Sequence, residues 1–122
     1  MSLRFVVLHH VAPESSDRKT HWDFMLEYGD SLRTWALAEP PNPFQEIAAE
    51  VLPDHRLAYL DYEGPISNNR GHVTQFDRGT YSILHQDDKT LTVDLAGKRL
   101  CCQMKITELD ANLASFSFGD YR

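Results

Sequence analysis

Apolar and polar residues alternate along most of this chain with a period of two, the spacing of strands that bury one face. Arg4 to His10 is rich in β-formers, and from Thr20 to Glu27 the residues Trp22, Phe24 and Leu26 alternate with His21, Asp23, Met25 and Glu27. Ser31 to Leu37, Leu57 to Tyr62, His72 to Phe76, Thr80 to His85, Thr90 to Leu95 and Arg99 to Leu109 read as further strands. Turn chemistry separates them at Tyr28-Gly29-Asp30, Asp77-Arg78-Gly79, Gln86-Asp87-Asp88 and Ala96-Gly97-Lys98, the last two at hairpin spacing. The stretch PFQEIAAEV predicts a short helix from Pro43 to Val51, with Asn42 placed to cap it, Pro43 in its first turn and Pro53 just past its end. Ser67-Asn68-Asn69-Arg70-Gly71 reads as a loop. Many short strands and one helix predict a mainly β fold, a compact closed or half-closed β-barrel, because closure removes unpaired strand edges.

A length of 122 residues implies a single domain over 1–122. No apolar run approaches the ~20 residues of a membrane helix, and the opening MSLRFVVLHH does not read as a secretory signal. The net charge of −6 is unevenly spread: residues 1–65 hold 5 basic and 11 acidic side chains, residues 66–105 hold 6 and 4. Nonspecific duplex binding by counterion release is therefore not expected of the whole surface, and a phosphate ligand would need a metal or a few focused cations. The only cysteines, Cys101 and Cys102, are adjacent and poorly placed to bridge, which implies reduced thiols and a cytoplasmic setting.

Within this frame, His21-Trp22-Asp23 carries the most chemistry. On a strand its imidazole and carboxylate share a face, roughly 6.5–7 Å apart at the backbone, a spacing at which two side chains can converge on one ion. An ordinary strand bearing a His–Asp hydrogen bond satisfies the same pattern. His9-His10 closes the first strand with its two rings on opposite faces, His10 beside Val6 and Leu8, His9 beside Phe5 and Val7. One of the two can join His21 and Asp23, and periodicity does not say which. Two histidines and a carboxylate with open positions suit Mn²⁺, Fe²⁺ or Zn²⁺ rather than a closed structural site. His55, in a loop ahead of a strand, can reach the same place or stay solvated. His72 and His85 read as structural or solvent-facing. Ser15-Ser16 lacks the context of a serine nucleophile, and the dispersed glycines form no phosphate loop. Tyr59, Tyr62, Trp35 and Phe76 read as core aromatics before base-stacking platforms.

Taken in order, these pieces resemble one family. Phe5-Val6-Val7, His10-Val11-Ala12 and His21-Trp22-Asp23-Phe24-x-Leu26-Glu27 are similar to the start of the 3′-phosphoesterase domain of bacterial DNA ligase D. Thr34-Trp35-Ala36-Leu37 resembles its Ser-Trp-Ala-Val. Asp54-His55-x-Leu57-x-Tyr59 with Tyr62-Glu63-Gly64 resembles its Asp-His-Pro-Leu-Asp-Tyr and Phe-Glu-Gly pieces, and Asp77-Arg78-Gly79-Thr80-Tyr81 its Asp-Arg-Gly-Thr-Trp strand. The matches run from about Arg4 to Leu109.

The resemblance implies a β-barrel acting on 3′ ends of DNA primer strands, removing a terminal ribonucleotide and then a 3′-phosphate, with Mn²⁺ as the usual metal. It implies His10, His21 and Asp23 as metal ligands, so the choice of His10 over His9 comes from the resemblance. It also implies His55 at the scissile phosphate or leaving oxygen, with Tyr59 beside it. Three basic positions of the family are Met25, Glu39 and Ile47 here, and Arg18, Arg33, Arg56 and Arg70 are the candidate substitutes for phosphate binding. The chain as given opens on the first strand, which implies a standalone domain without the charged extension of the ligase domains. The implied partners are DNA or RNA–DNA 3′ ends or a smaller phosphoester, with a DNA ligase or polymerase alongside and no membrane. Two other classes fit the same residues: a non-catalytic binding module of this fold, and an iron oxygenase using the two-histidine, one-carboxylate set.

Overall fold

The strands are longer and more continuous than the sequence pattern suggests. The computed structural model describes residues 3–122. In chain order it has β1 (Leu3–Val11), β2 (His21–Tyr28), β3 (Ser31–Leu37), β4 (Glu46–Arg56), a 3-10 turn over Leu57–Leu60, β5 (Gly64–Pro65), β6 (His72–Gln86), β7 (Thr90–Gly97), β8 (Cys101–Glu108) and β9 (Leu113–Phe118). The pairing order is β1-β2-β3-β4-β9-β8-β7-β6, and β6 returns to β1. This closes an eight-stranded antiparallel barrel, with the two-residue β5 appended to β6. The expected mainly β barrel is present, and it is fully closed.

Every long strand sends side chains inward. Phe5, Val7, Phe24, Leu26, Trp35 and Phe116 belong to one buried cluster that draws on all eight barrel strands. β1 and β2 bury their outer face as well, together with parts of β3 and β6. Val6, Leu8 and Met25 join Leu32, Leu60 and Val73 in a second cluster, with Leu57, Tyr59, Tyr62 and Ile66 packed against it. Burial on both faces explains why Phe5-Val6-Val7-Leu8 is a continuous apolar run rather than an alternating one. The segment from Leu57 to Ile66 is thus a cover laid over the outside of the barrel, beside the end of β1 that carries His10.

Four expectations fail, each for a physical reason. The helix predicted from Pro43 to Val51 is instead a turn followed by β4. Ile47 and Ala49 point inward and Glu46, Ala48 and Glu50 outward, and the strand pairs with both β3 and β9. Barrel closure there outweighs a helical spacing that is real but weak, and Asn42 accepts a hydrogen bond from the Phe44 N–H (2.8 Å) as a turn, not as a helix cap. Leu57 to Tyr62 is not a strand: it coils into the 3-10 turn so that Leu60 can sit in the outer cluster. Consequently His55 lies at the end of a strand, not in a loop before one. Asp77-Arg78-Gly79 is no turn but the middle of the 15-residue β6, next to a register shift against Val7 and Leu8 where the strand bends. Finally, the predicted strands stop at Leu109, whereas β9 follows, with Ala114, Phe116 and Phe118 inward.

Both cysteines are free. As neighbours on β8 they face opposite ways: burial pushes the Cys102 thiol up to about 11, and Cys101 donates to the Gly97 carbonyl. Among the described residues no helix is long and apolar enough to cross a membrane.

Candidate metal centre

Strand register builds this site. In the β1–β2 ladder His10 pairs with His21, Leu8 with Asp23 and Val6 with Met25. Alternation puts all six on the outer face, so His10, and not His9, meets His21 and Asp23. His9 pairs with Trp22 across the ladder and stacks on it, ring centres 4.7 Å apart. What periodicity left open, the pairing decides.

His10, His21 and Asp23 offer ligand atoms within 4.8 Å of one another. Nδ1 of His10 lies 3.3 Å from Asp23 Oδ2, and Nε2 of His21 lies 3.0 Å from Oδ1. The remaining nitrogen of each ring is held by a backbone carbonyl: His10 Nε2 by Arg70 (2.8 Å) and His21 Nδ1 by Lys19 (2.8 Å). A carbonyl only accepts, so those nitrogens carry the ring hydrogens. In the neutral rings the other two nitrogens therefore turn lone pairs toward a carboxylate, which offers only lone pairs itself. Oδ1 of Asp23 is buried and has no hydrogen-bond partner, the His21 contact being misaligned for one.

Such a cluster is frustrated until a cation enters it. Burial pushes the Asp23 carboxyl up, but the His10 and His21 imidazoles more than offset this and leave it at about 2. The same carboxylate raises the pKa of His10 above its ordinary value. A proton is the smallest cation that relieves the arrangement. The donor set, two imidazoles each oriented by a backbone carbonyl plus one carboxylate, fits a divalent metal equally well.

Around the triad is an open cavity of about 630 Å³, whose walls include Arg18, His55, Asn68, Asn69 and Arg70. Nδ1 of His55 donates to the Pro53 carbonyl (2.9 Å), leaving Nε2 without a hydrogen-bond partner among the described residues. Its ring packs edge-on against Tyr59, centres 5.5 Å apart. Arg18 and Arg70 thus reach the cavity. Arg56 instead lies over the Tyr59 ring and lines a different cleft, and Arg33 lines a separate cavity, with its guanidinium over Trp35. Met25 and Ile47 are buried in the outer and inner clusters, and Glu39, exposed, is held by Gln45, so none of the three departures faces this cavity.

Sequence reasoning singled out neither Asn68 nor Asn69. Both sit at positive φ (63° and 54°), a conformation Asn tolerates better than most residues, and the Asn-Asn dipeptide before Arg70-Gly71 is the signal that marks it. Gly71 anchors the loop: at φ 93° a Cβ would come within 2.0 Å of the Val11 carbonyl oxygen. Only glycine lets the loop press on β1 closely enough for the Arg70 carbonyl to reach His10.

Comparison with known proteins shows the family. Residues 9–108 match the family model described as the DNA ligase D 3′-phosphoesterase domain. A multifunctional non-homologous end joining protein LigD of Pseudomonas aeruginosa is 34% identical over 87 residues, covering 67% of this chain and 10% of that protein. The LigD proteins of Mycobacterium bovis and Mycobacterium tuberculosis are each 34% identical over 105 residues, covering 79% of this chain and 13% of theirs. The chain therefore spans only about a tenth of the length of these relatives. On the family match and this identity, the chain belongs to the DNA ligase D 3′-phosphoesterase domain family.

Proposed function

We propose that this chain is a metal-dependent phosphoesterase that heals nucleic-acid 3′ ends, removing a terminal ribonucleotide or 3′-phosphate, or that it acts on a smaller phosphoester. The observation that carries the reading is the buried, unpartnered Asp23 Oδ1 between two imidazoles whose other nitrogens are already committed. His10 Nδ1, His21 Nε2 and Asp23 would hold the metal, for which Mn²⁺ is the first candidate. A divalent ion there would supply Lewis-acid polarisation of a phosphate oxygen.

The remaining work falls to the chain's own groups. His55 Nε2 is free to carry a proton to the leaving oxygen while its Nδ1 stays fixed on Pro53, and Tyr59 limits the ring's rotation. Arg18 and Arg70 are the cations at hand for phosphate oxygens. Arg70 is itself braced by hydrogen bonds to Ser67. The relatives' names place those proteins in non-homologous end joining. A comparable repair setting in the cytoplasm, with a ligase or polymerase as partner, is part of the proposal.

The test is a primer–template ending in a 3′ ribonucleotide, and its 3′-phosphate counterpart, incubated with Mn²⁺ and wild type or His21→Ala. Product with wild type alone is the expected result. No product under saturating Mn²⁺ favours a second reading, a binding module of the same fold, which draws on the apolar Met25 and Ile47 and the net charge of −6.

The loop supporting His10 gives a sharper expectation. Gly71→Ala should displace the Arg70 carbonyl and free the His10 ring, weakening Mn²⁺ affinity by about 10–100-fold, the usual cost of losing an outer partner of a metal ligand. Calorimetric titration of Mn²⁺ into the folded variant checks this. Unchanged affinity would mean the Arg70 carbonyl does not orient His10.

A further inference from the structure

Tyr59, whose ring packs against His55 of the metal cavity, lines a second cleft that none of the chemistry above uses. It holds about 230 Å³ and is walled by Arg56, Tyr59, Tyr62, Pro65 and Ile66. Tyr59 links the two: its ring packs edge-on against His55, which lines the first cavity, and against Tyr62, which lines the cleft, with centres 5.5 and 5.8 Å away. A second link is Ser67, which lines this cleft and anchors Arg70 of the first cavity.

We propose that this cleft receives the base of the nucleotide whose 3′-phosphate occupies the metal cavity. The inference rests on the phosphoester reading above and deepens it. Four observations point to a nucleobase. The space is smaller than the ~300–1,000 Å³ of sites for drug-sized ligands, which suits a flat system of one or two rings. Its walls combine aromatic faces with one cation, Arg56, whose guanidinium stands 5.9 Å from the Tyr59 ring centre.

Its charge is also selective. The protein carries −6 overall, yet none of the residues lining the cleft is acidic. The nearest carboxylates along the chain are engaged elsewhere, Asp61 with Arg78 and Glu63 with the Gln75 N–H.

The cleft is also pre-set. The Tyr62 hydroxyl donates to the Pro65 carbonyl, fixing the ring that would stack, and the Ser67 hydroxyl already accepts from Arg70. With so few free polar groups, the cleft should take purines and pyrimidines alike, the purine more tightly for its larger stacked area.

The test titrates adenosine 3′-phosphate and ribose 3-phosphate into metal-free protein, where no turnover intervenes. Wild type should bind the nucleotide about 10-fold more tightly than the base-less sugar phosphate. Tyr62→Ala should erase that ratio, Tyr62→Phe should keep it, and inorganic phosphate should bind wild type and both variants alike. A wild-type ratio near one, or one that survives in folded Tyr62→Ala, overturns the proposal. Should Tyr62→Ala fail to fold, the wild-type ratio still decides, together with Tyr62 ring resonances that must shift with the nucleotide and not with ribose 3-phosphate. The primer assay keeps the two readings apart. Cleavage together with a nucleotide-to-sugar-phosphate binding ratio near one removes the cleft alone, and a ratio of about ten without cleavage removes the phosphoesterase and leaves a nucleotide site.

Discussion

Replacing Asp23 with asparagine is expected to abolish stabilisation by Mn²⁺ and to lower 3′-end cleavage by at least about 100-fold. The residue is 4% exposed and is the one anion between the two histidines. An amide of the same shape offers a metal no charge, and it turns an N–H₂ toward a nitrogen or toward the ion itself. A ligand present at a hundred times its Kd stabilises the folded state by about 2.7 kcal/mol. For a chain of this length that is a rise in Tm of roughly 10 °C. Thermal melts of wild type and Asp23→Asn with and without Mn²⁺ read this directly. Asp23→Asn also tests the frustration argument in the metal-free state. Removing a buried carboxylate oxygen that lacks a donor should cost the apo protein much less stability than it costs the metal-bound one. A variant that still gains the full wild-type shift from Mn²⁺ would falsify the three-residue metal site.

How far the site was legible follows from which interactions are local. His21-x-Asp23 needs only the two-residue repeat of a strand, and that pattern is in the sequence. The partner from β1 depends on the register between two strands, which alternation narrows to His9 or His10 and cannot take further. The wiring that turns both rings, by the carbonyls of Arg70 and Lys19, is backbone geometry with almost no side-chain signature. The fold shows the same division. Strands facing one core were readable from alternation, and the β7–β8 hairpin from its turn residues. β4 was misread because Ile47, Ala48 and Val51 also fit a helical face, and only the need to bridge β3 and β9 selects the strand. That Arg33 and Arg56 line other cavities was illegible for a related reason: a positive charge in the sequence carries no information about which cavity it faces.

Asp77 was misread most completely, and it gives the largest expected effect on stability. Its sequence, Asp-Arg-Gly, looks like a turn, and Asp77 does organise one, but on the neighbouring hairpin. Oδ1 accepts from the N–H groups of Arg78 (2.8 Å) and Lys98 (2.9 Å), and Oδ2 from that of Leu100 (2.8 Å). The carboxylate thus closes the β7–β8 connection from β6, with Gly97 leaving it room: a Cβ there would lie 2.3 Å from Oδ2. Hydrogen bonds to a charged group contribute about 1.5–3 kcal/mol each, and a buried donor left unpaired is penalised further. Asp77→Ala strands the fully buried Leu100 N–H and empties a packed position, so a loss of about 3–5 kcal/mol is expected from urea unfolding. Asp77→Asn keeps one accepting oxygen and should lose about half as much. The two losses should appear with an unchanged m-value, because the barrel stays closed by its strand ladders while the hairpin end loosens. A cost below about 1 kcal/mol for Asp77→Ala would mean that water replaces the carboxylate, and that the hairpin holds its own geometry.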